Sequence, residues 1–125
     1  MSEPIGRLDA VALDCSDPEE LAGFYRSILG GEIYAIPDGR WVEVQSRHGT
    51  VACQRIDDYR PPTWPNGDVP TQAHIDIAVT DLEEGESAVL ALGAVKAGTQ
   101  PSPDNFRVFF DPAGHPFCLV GQWRE

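Results

Sequence analysis

Two stretches of this chain repeat one another, and the repeat constrains the fold more than any other feature. Val11–Asp17 (VALDCSD) is matched by Ile75–Asp81 (IDIAVTD), which stands 64 positions later. Both stretches alternate apolar residues with others, which predicts a β-strand, and both end in a hydroxyl residue followed by aspartate. Self-similarity at a fixed offset indicates that one supersecondary unit occurs twice.

A helix is predicted directly after each of these strands. Ser16–Glu19 and Thr80–Glu83 each place a glutamate three positions after a hydroxyl residue, which is the pattern of an N-terminal capping box. Both helices are predicted to end at a Leu-Gly pair, Leu29–Gly30 and Leu92–Gly93, because glycine tolerates the left-handed conformation that ends a helix. Each repeat therefore begins with a strand and a helix.

Three short strands are predicted to follow each helix. They are expected at about 31–36, 40–46 and 50–57 in the first repeat, and at about 94–98, 105–110 and 116–121 in the second. The segment between the repeats carries four prolines in thirteen residues, which excludes a helix or a central strand there. We therefore expect a single domain over residues 1–125, with repeat one at about 7–57, a linker at about 58–70 and repeat two at about 71–121.

The net charge of the chain restricts the classes of molecule that we expect it to bind. The formal net charge is −11, and such a balance repels phosphate backbones and anionic membrane surfaces. Neither nucleic acid nor a membrane is therefore an expected partner. No apolar run approaches the roughly 20 residues that span a bilayer. Since the N-terminal sequence also lacks a signal-peptide pattern, we expect a cytoplasmic protein.

The three cysteines do not suggest a disulfide framework. Cys15, Cys53 and Cys118 are odd in number and form no C-x-x-C pair. Each lies in an apolar stretch, so we expect buried, reduced thiols.

Three motifs, in order along the chain, resemble one protein superfamily. They are DCSDPEELAGFYRSILG (Asp14–Gly30), AHIDIAVTDL (Ala73–Leu82) and DPAGHPF (Asp111–Phe117). Together they resemble the glyoxalase/bleomycin-resistance (vicinal oxygen chelate) superfamily, and within it the glyoxalase-like domain group, most of whose members have no assigned reaction. The resemblance implies an α+β fold in which two tandem βαβββ repeats form curved mixed sheets around a cup.

The resemblance also implies where a divalent metal is possible. Metal-using members hold the ion with four side chains, His or Gln on the first strand of each repeat and Glu on the last. His74 matches one position, but the equivalent position in the first repeat is Ala10, which cannot ligate. Cys118 stands at one glutamate position, and Cys53, with Gln54 beside it, stands at the other. His74, Cys118 and Cys53 are thus the metal candidates, and Asp9 and Asp76 could in principle supply oxygen ligands. For both cysteines, the favoured interpretation is that they are small core residues.

A ligand site is predicted around the same strand. His74 and Asp76 alternate with apolar neighbours and share one strand face, so they form a polar pair able to bind a ligand. The alternative is a strand histidine bonded to a nearby carbonyl. Gln54, Trp41 and Trp64 complete the expected ligand-binding set, with the tryptophans supplying an aromatic side. We expect His74, Asp76 and the two strand cysteines to face a single concave pocket; the alternative is a cup filled by its own side chains.

Three functions remain open on the sequence. The first hypothesis is that the chain binds a small organic molecule without the usual metal quartet. The second is a metal-dependent lyase, isomerase or ring-cleaving dioxygenase, and the third is a non-catalytic partner domain. No catalytic residue is assigned, because no nucleophile and base stand at a recognised spacing. A homodimer or a closely intertwined pair of repeats is expected, since each four-stranded unit leaves exposed strand edges that proteins usually cover.

Overall fold

The computed structural model describes residues 3–121 of the chain. It divides into two compact units, residues 1–57 (unit 1) and 58–125 (unit 2). Each unit contains one helix and one four-stranded mixed sheet in the order strand, helix, three strands. The predicted tandem βαβββ architecture is therefore confirmed.

Unit 1 builds its sheet around a central antiparallel pair. Its elements are β1 (Val11–Cys15), α1 (Pro18–Leu29), β2 (Glu32–Ala35), β3 (Trp41–Ser46) and β4 (Gly49–Arg55). The strand order is β1-β4-β3-β2; β1 runs parallel to β4, and the other neighbours are antiparallel.

Unit 2 repeats this topology with shorter elements. The elements are β5 (Ile75–Ala78), α2 (Leu82–Ala91), β6 (Val95–Lys96), β7 (Phe106–Phe110) and β8 (Pro116–Val120). The strand order is β5-β8-β7-β6, again with the first strand in sequence parallel to the last. The strand predicted at 94–98 is reduced to the two residues of β6.

The helices begin one residue later than the capping boxes predict. The N-caps are Asp17 and Asp81, whose carboxylates accept the backbone N–H three residues on, at 3.1 and 3.0 Å. The prediction of Ser16 and Thr80 as caps was wrong. An aspartate offers the same acceptor geometry as a hydroxyl residue, and its negative charge also interacts favourably with the positive end of the helix dipole.

The helix ends follow the glycine signal. Gly30 and Gly93 have φ angles of 75° and 106°, which a residue with a Cβ adopts only at a cost. Neither helix in the described part of the chain is both long and apolar enough to cross a membrane.

The core of unit 2 lies between its helix and one face of its sheet. Phe109 and Phe117 are fully buried, with stacked rings whose centroids are 5.7 Å apart. Leu119 is also fully buried and packs against α2 at Gly85, where an added Cβ would lie 3.2 Å from the leucine side chain. Because side chains alternate along a strand, the residues next to Phe109, Phe117 and Leu119 on their own strands face the other side of the sheet.

All three cysteines are buried and reduced, as expected. In unit 1, Cys53 is the cross-strand partner of Val42, and both are almost completely buried. Their neighbours Gln54 and Trp41 form the next cross-strand pair. Cys53 therefore faces the core side of its sheet, and Gln54 faces the opposite side.

Candidate functional site

A pocket lies on the face of the second sheet that turns away from α2. Its volume is about 310 Å³, and its lining is mostly apolar. Cys118 and Val120 of β8 line it, together with their cross-strand partners Val108 and Phe106 of β7. The alternation that puts Phe117 on the core side therefore puts these four residues in the pocket wall.

Trp64 supplies an aromatic wall from the segment that precedes the second repeat. It packs on a small apolar cluster that includes Val108, Cys118 and Val120. Trp64 thus lines the pocket although it lies outside every strand and helix.

His74 and Asp76 contribute a polar pair to the pocket lining. The imidazole Nε2 lies 2.9 Å from Asp76 Oδ1, and both side chains are 48% exposed. Asp76 belongs to β5, while His74 directly precedes it. The shared strand face that alternation predicts for this pair is what brings their side chains together.

Cys118 lies against this pair. It is the cross-strand neighbour of Asp76, and burial, followed by the charge and hydrogen bonding of the Asp76 carboxylate, raises the pKa of its thiol to about 11. The thiol is therefore protonated at neutral pH. A nitrogen, oxygen and sulfur atom from His74, Asp76 and Cys118 lie within 4.8 Å of one another, which makes them a possible metal-ligand cluster within residues 3–121.

Thr71 is a pocket residue that sequence reasoning missed. It lines the site, while its hydroxyl oxygen is buried and makes no hydrogen bond to any described residue. A buried hydroxyl without a partner costs about 1–3 kcal/mol. No sequence signal marks Thr71, whereas Phe106 and Val108 could have been found by extending the alternation of β8 to its neighbour β7.

Trp41 and Gln54 lie in unit 1, where they line a wider, open hollow together with charged side chains. The indole Nε1 of Trp41 donates a 2.7 Å hydrogen bond to Glu43 Oε2. The structure thus groups His74, Asp76, Trp64 and Cys118 around one pocket of unit 2, and Trp41 with Gln54 around a hollow of unit 1.

Strand register changes which residue of unit 1 corresponds to Cys118. In unit 2, Asp76 pairs with Cys118, whereas the repeat-equivalent Ala12 pairs with Ala52. The glycine-based alignment that matched Cys118 with Cys53 was therefore off by one residue. The positions of unit 1 that correspond to His74, Asp76 and Cys118 are thus three alanines, none of which can ligate a metal.

Comparison with known proteins places these features in a family context. The glyoxalase-like domain family matches residues 10–120. No curated protein matches the sequence.

Solved structures show the same fold at low identity. A hypothetical protein from S. aureus is 22% identical, with a TM-score of 0.65, over 94% of this chain and 98% of its own. A mutant of the fosfomycin resistance protein of Listeria monocytogenes, complexed with Mn(II) and 1S,2S-dihydroxypropylphosphonic acid, is 17% identical, with a TM-score of 0.71, over 96% and 94% of the two chains. A lactoylglutathione lyase from Agrobacterium tumefaciens is 18% identical, with a TM-score of 0.65, over 98% and 100%.

Proposed function

The chain belongs to the glyoxalase-like domain family, and from that premise we propose that it binds a small organic molecule in the pocket of unit 2, without the metal quartet of metal-using relatives. The observation that carries the proposal is the pocket itself. It is a mostly apolar hollow of about 310 Å³ that also contains the His74–Asp76 pair, and an apolar cavity with a few polar groups is the usual composition of a small-molecule site.

The donor set argues against the ion found in the Listeria relative. Octahedral Mn(II) prefers carboxylate, carbonyl and water oxygens. The pocket offers one carboxylate, which already accepts from His74, one imidazole, and a thiol whose raised pKa keeps it protonated. The three alanines at the equivalent positions of unit 1 supply no further ligand. These side chains do not fit a Mn(II) site.

A fragment screen by thermal shift, with affinities measured by calorimetry, tests the binding proposal. We expect saturable hits whose affinity falls at least about tenfold, or 1.4 kcal/mol, in Trp64→Ala. Tyr34→Ala is the matched control, since Tyr34 is a half-exposed aromatic residue on β2 of unit 1. Absence of saturable hits, or hits indifferent to Trp64→Ala, would overturn the proposal.

A metal-dependent lyase, isomerase or dioxygenase is the second candidate. The clustering of His74, Asp76 and Cys118 favours it, because a mixed nitrogen, oxygen and sulfur set suits zinc better than manganese. Elemental analysis of purified protein separates the two candidates. We expect no stoichiometric transition metal; about one equivalent of zinc, iron or nickel that is lost in His74→Ala would favour the metal-dependent enzyme.

We also propose that the protein is a homodimer. Within its sheet β1 is an edge strand, and the segment before it exposes the apolar side chains of Ile5 and Leu8. Unpaired strand edges with apolar neighbours are surfaces that proteins usually cover.

A further inference from the structure

We infer that the pocket of unit 2 accepts a hydrophobic amine, meaning a small apolar molecule that carries a cationic nitrogen. The inference rests on the proposed ligand-binding function and adds the chemical class of the ligand. It follows from the charges, the hydrogen-bond acceptors and the wall of the pocket.

The charges exclude an anionic ligand. No lysine or arginine of the described chain lines the pocket, and Asp76 is the one carboxylate that does. An anion would therefore lie against the Asp76 carboxylate with no lysine or arginine of the described lining to receive it, whereas an ammonium would be attracted. The net charge of −11 on the whole chain also favours the approach of cations.

The acceptors match an ammonium group. Asp76 engages His74 through Oδ1, and a carboxylate has capacity for further hydrogen bonds at its two oxygens. The Thr71 side chain lines the same pocket, but its hydroxyl oxygen is buried, so the half-exposed Asp76 carboxylate is the acceptor that a bound molecule can reach. An ammonium has several donors and no acceptor of its own, so it can donate to this carboxylate.

The wall suits the rest of such a molecule. Trp64 and Phe106 present aromatic rings, which attract cations through their faces and also bury apolar surface. A volume of about 310 Å³ lies at the lower end of ligand pockets, so a one- or two-ring body fits. This class differs from the phosphonic acid bound with Mn(II) in the Listeria relative, since no lysine or arginine among the described residues lines the pocket to receive a phosphonate.

Three probes that share a 2-(1-naphthyl)ethyl body and differ in the polar group test the inference by calorimetry at pH 7: 2-(1-naphthyl)ethylamine, 2-(1-naphthyl)ethanol and 3-(1-naphthyl)propanoate. Since a charge-assisted hydrogen bond contributes more than a neutral one, we expect the amine to bind at least about tenfold more tightly than the alcohol, and the acid to bind more weakly than both. Asp76→Asn should reduce the advantage of the amine to about twofold or less, because the amine loses the charge-assisted hydrogen bond and the alcohol loses only a neutral one.

The outcomes separate this inference from the function on which it rests. If the alcohol or the acid binds as tightly as the amine, and Trp64→Ala abolishes that binding, the pocket is a ligand site but the amine inference is wrong. An amine advantage that survives in Asp76→Asn would also overturn it. If none of the probes binds, the amine inference fails; if the fragment screen also gives no hit, the ligand-binding function fails with it. Circular dichroism of each variant excludes misfolding as the cause of lost binding.

Discussion

Replacing His74 by alanine should leave the fold almost intact, and the expected loss in the free energy of unfolding follows from the contacts of His74 in the structure. The side chain is 48% exposed, and its one ion-pair contact, at 2.9 Å to Asp76, is equally exposed. Pairs that remain this accessible to water contribute about 0.2–1 kcal/mol. Asp76 stays half in solvent after the change, so it is not stranded as a buried charge. We therefore expect His74→Ala to lower the free energy of unfolding by less than about 1 kcal/mol.

A variant in the core of the same unit provides a loss of stability with which His74→Ala can be compared. Phe109 is fully buried and stacks on Phe117, so Phe109→Ala should cost about 3–5 kcal/mol. For a chain of 125 residues, an unfolding entropy of about 2.1 cal/mol/K per residue gives roughly 0.26 kcal/mol per degree. The melting midpoint should therefore fall by less than about 4 °C in His74→Ala and by more than about 11 °C in Phe109→Ala.

Urea unfolding followed by circular dichroism, together with thermal melts, measures both variants. The alternative is that the pocket is packed by its own side chains, in which case His74 would be a buried hydrogen-bonding group. A loss above about 2 kcal/mol in His74→Ala, close to the loss in Phe109→Ala, would show this and refute the reasoning. If the stability loss is small, weaker binding of a screened ligand by the same variant assigns His74 to the site.

Three further predictions follow from other parts of the molecule. Arg107 is largely buried and bridges two glutamates of α2 at 2.8 and 3.1 Å, so Arg107→Ala should lower the free energy of unfolding in urea by about 1–3 kcal/mol. The matched variant Lys96→Ala removes a partly exposed pair and should cost less than about 1 kcal/mol. Equal losses in the two variants would contradict the structural role of Arg107. The pKa of the Cys118 thiol is raised from 9.0 to about 11, so the stability that the protonated thiol contributes is complete below pH 9 and is lost as the pH rises through 11. The free energy of unfolding should therefore fall between these pH values in wild type and fall less in Cys118→Val. Rapid alkylation of Cys118 in the folded protein at pH 8 would contradict the raised pKa. Sedimentation at micromolar concentration should show a dimer that dissociates on Ile5→Glu with Leu8→Glu, and a monomeric wild type would refute the dimer.

The sequence was sufficient for the architecture because its signals are local and occur twice. Strand alternation, a helix start and a Leu-Gly stop recur at one offset, so each copy supports the other. The same local alternation placed His74 and Asp76 on one strand face, and the structure puts them 2.9 Å apart. The helix starts were missed by one residue, because Ser16 and Asp17 are adjacent and both fit the preference for a cap.

The tertiary structure determined the register in which the strands pair. Cys118 and Cys53 look equivalent along the chain, yet pairing of β5 with β8 sets Cys118 beside Asp76, while pairing of β1 with β4 sets Cys53 beside Leu13 on the core side. These partners lie about forty residues apart in sequence, and a shift of one residue moves a side chain to the other face of the sheet. The orphaned hydroxyl of Thr71 is likewise a property of packing. The sequence by itself therefore determined the repeated fold and the polar pair, whereas only the paired strands decided which neighbours share the pocket, since the hydrogen bonds that fix register join residues distant along the chain.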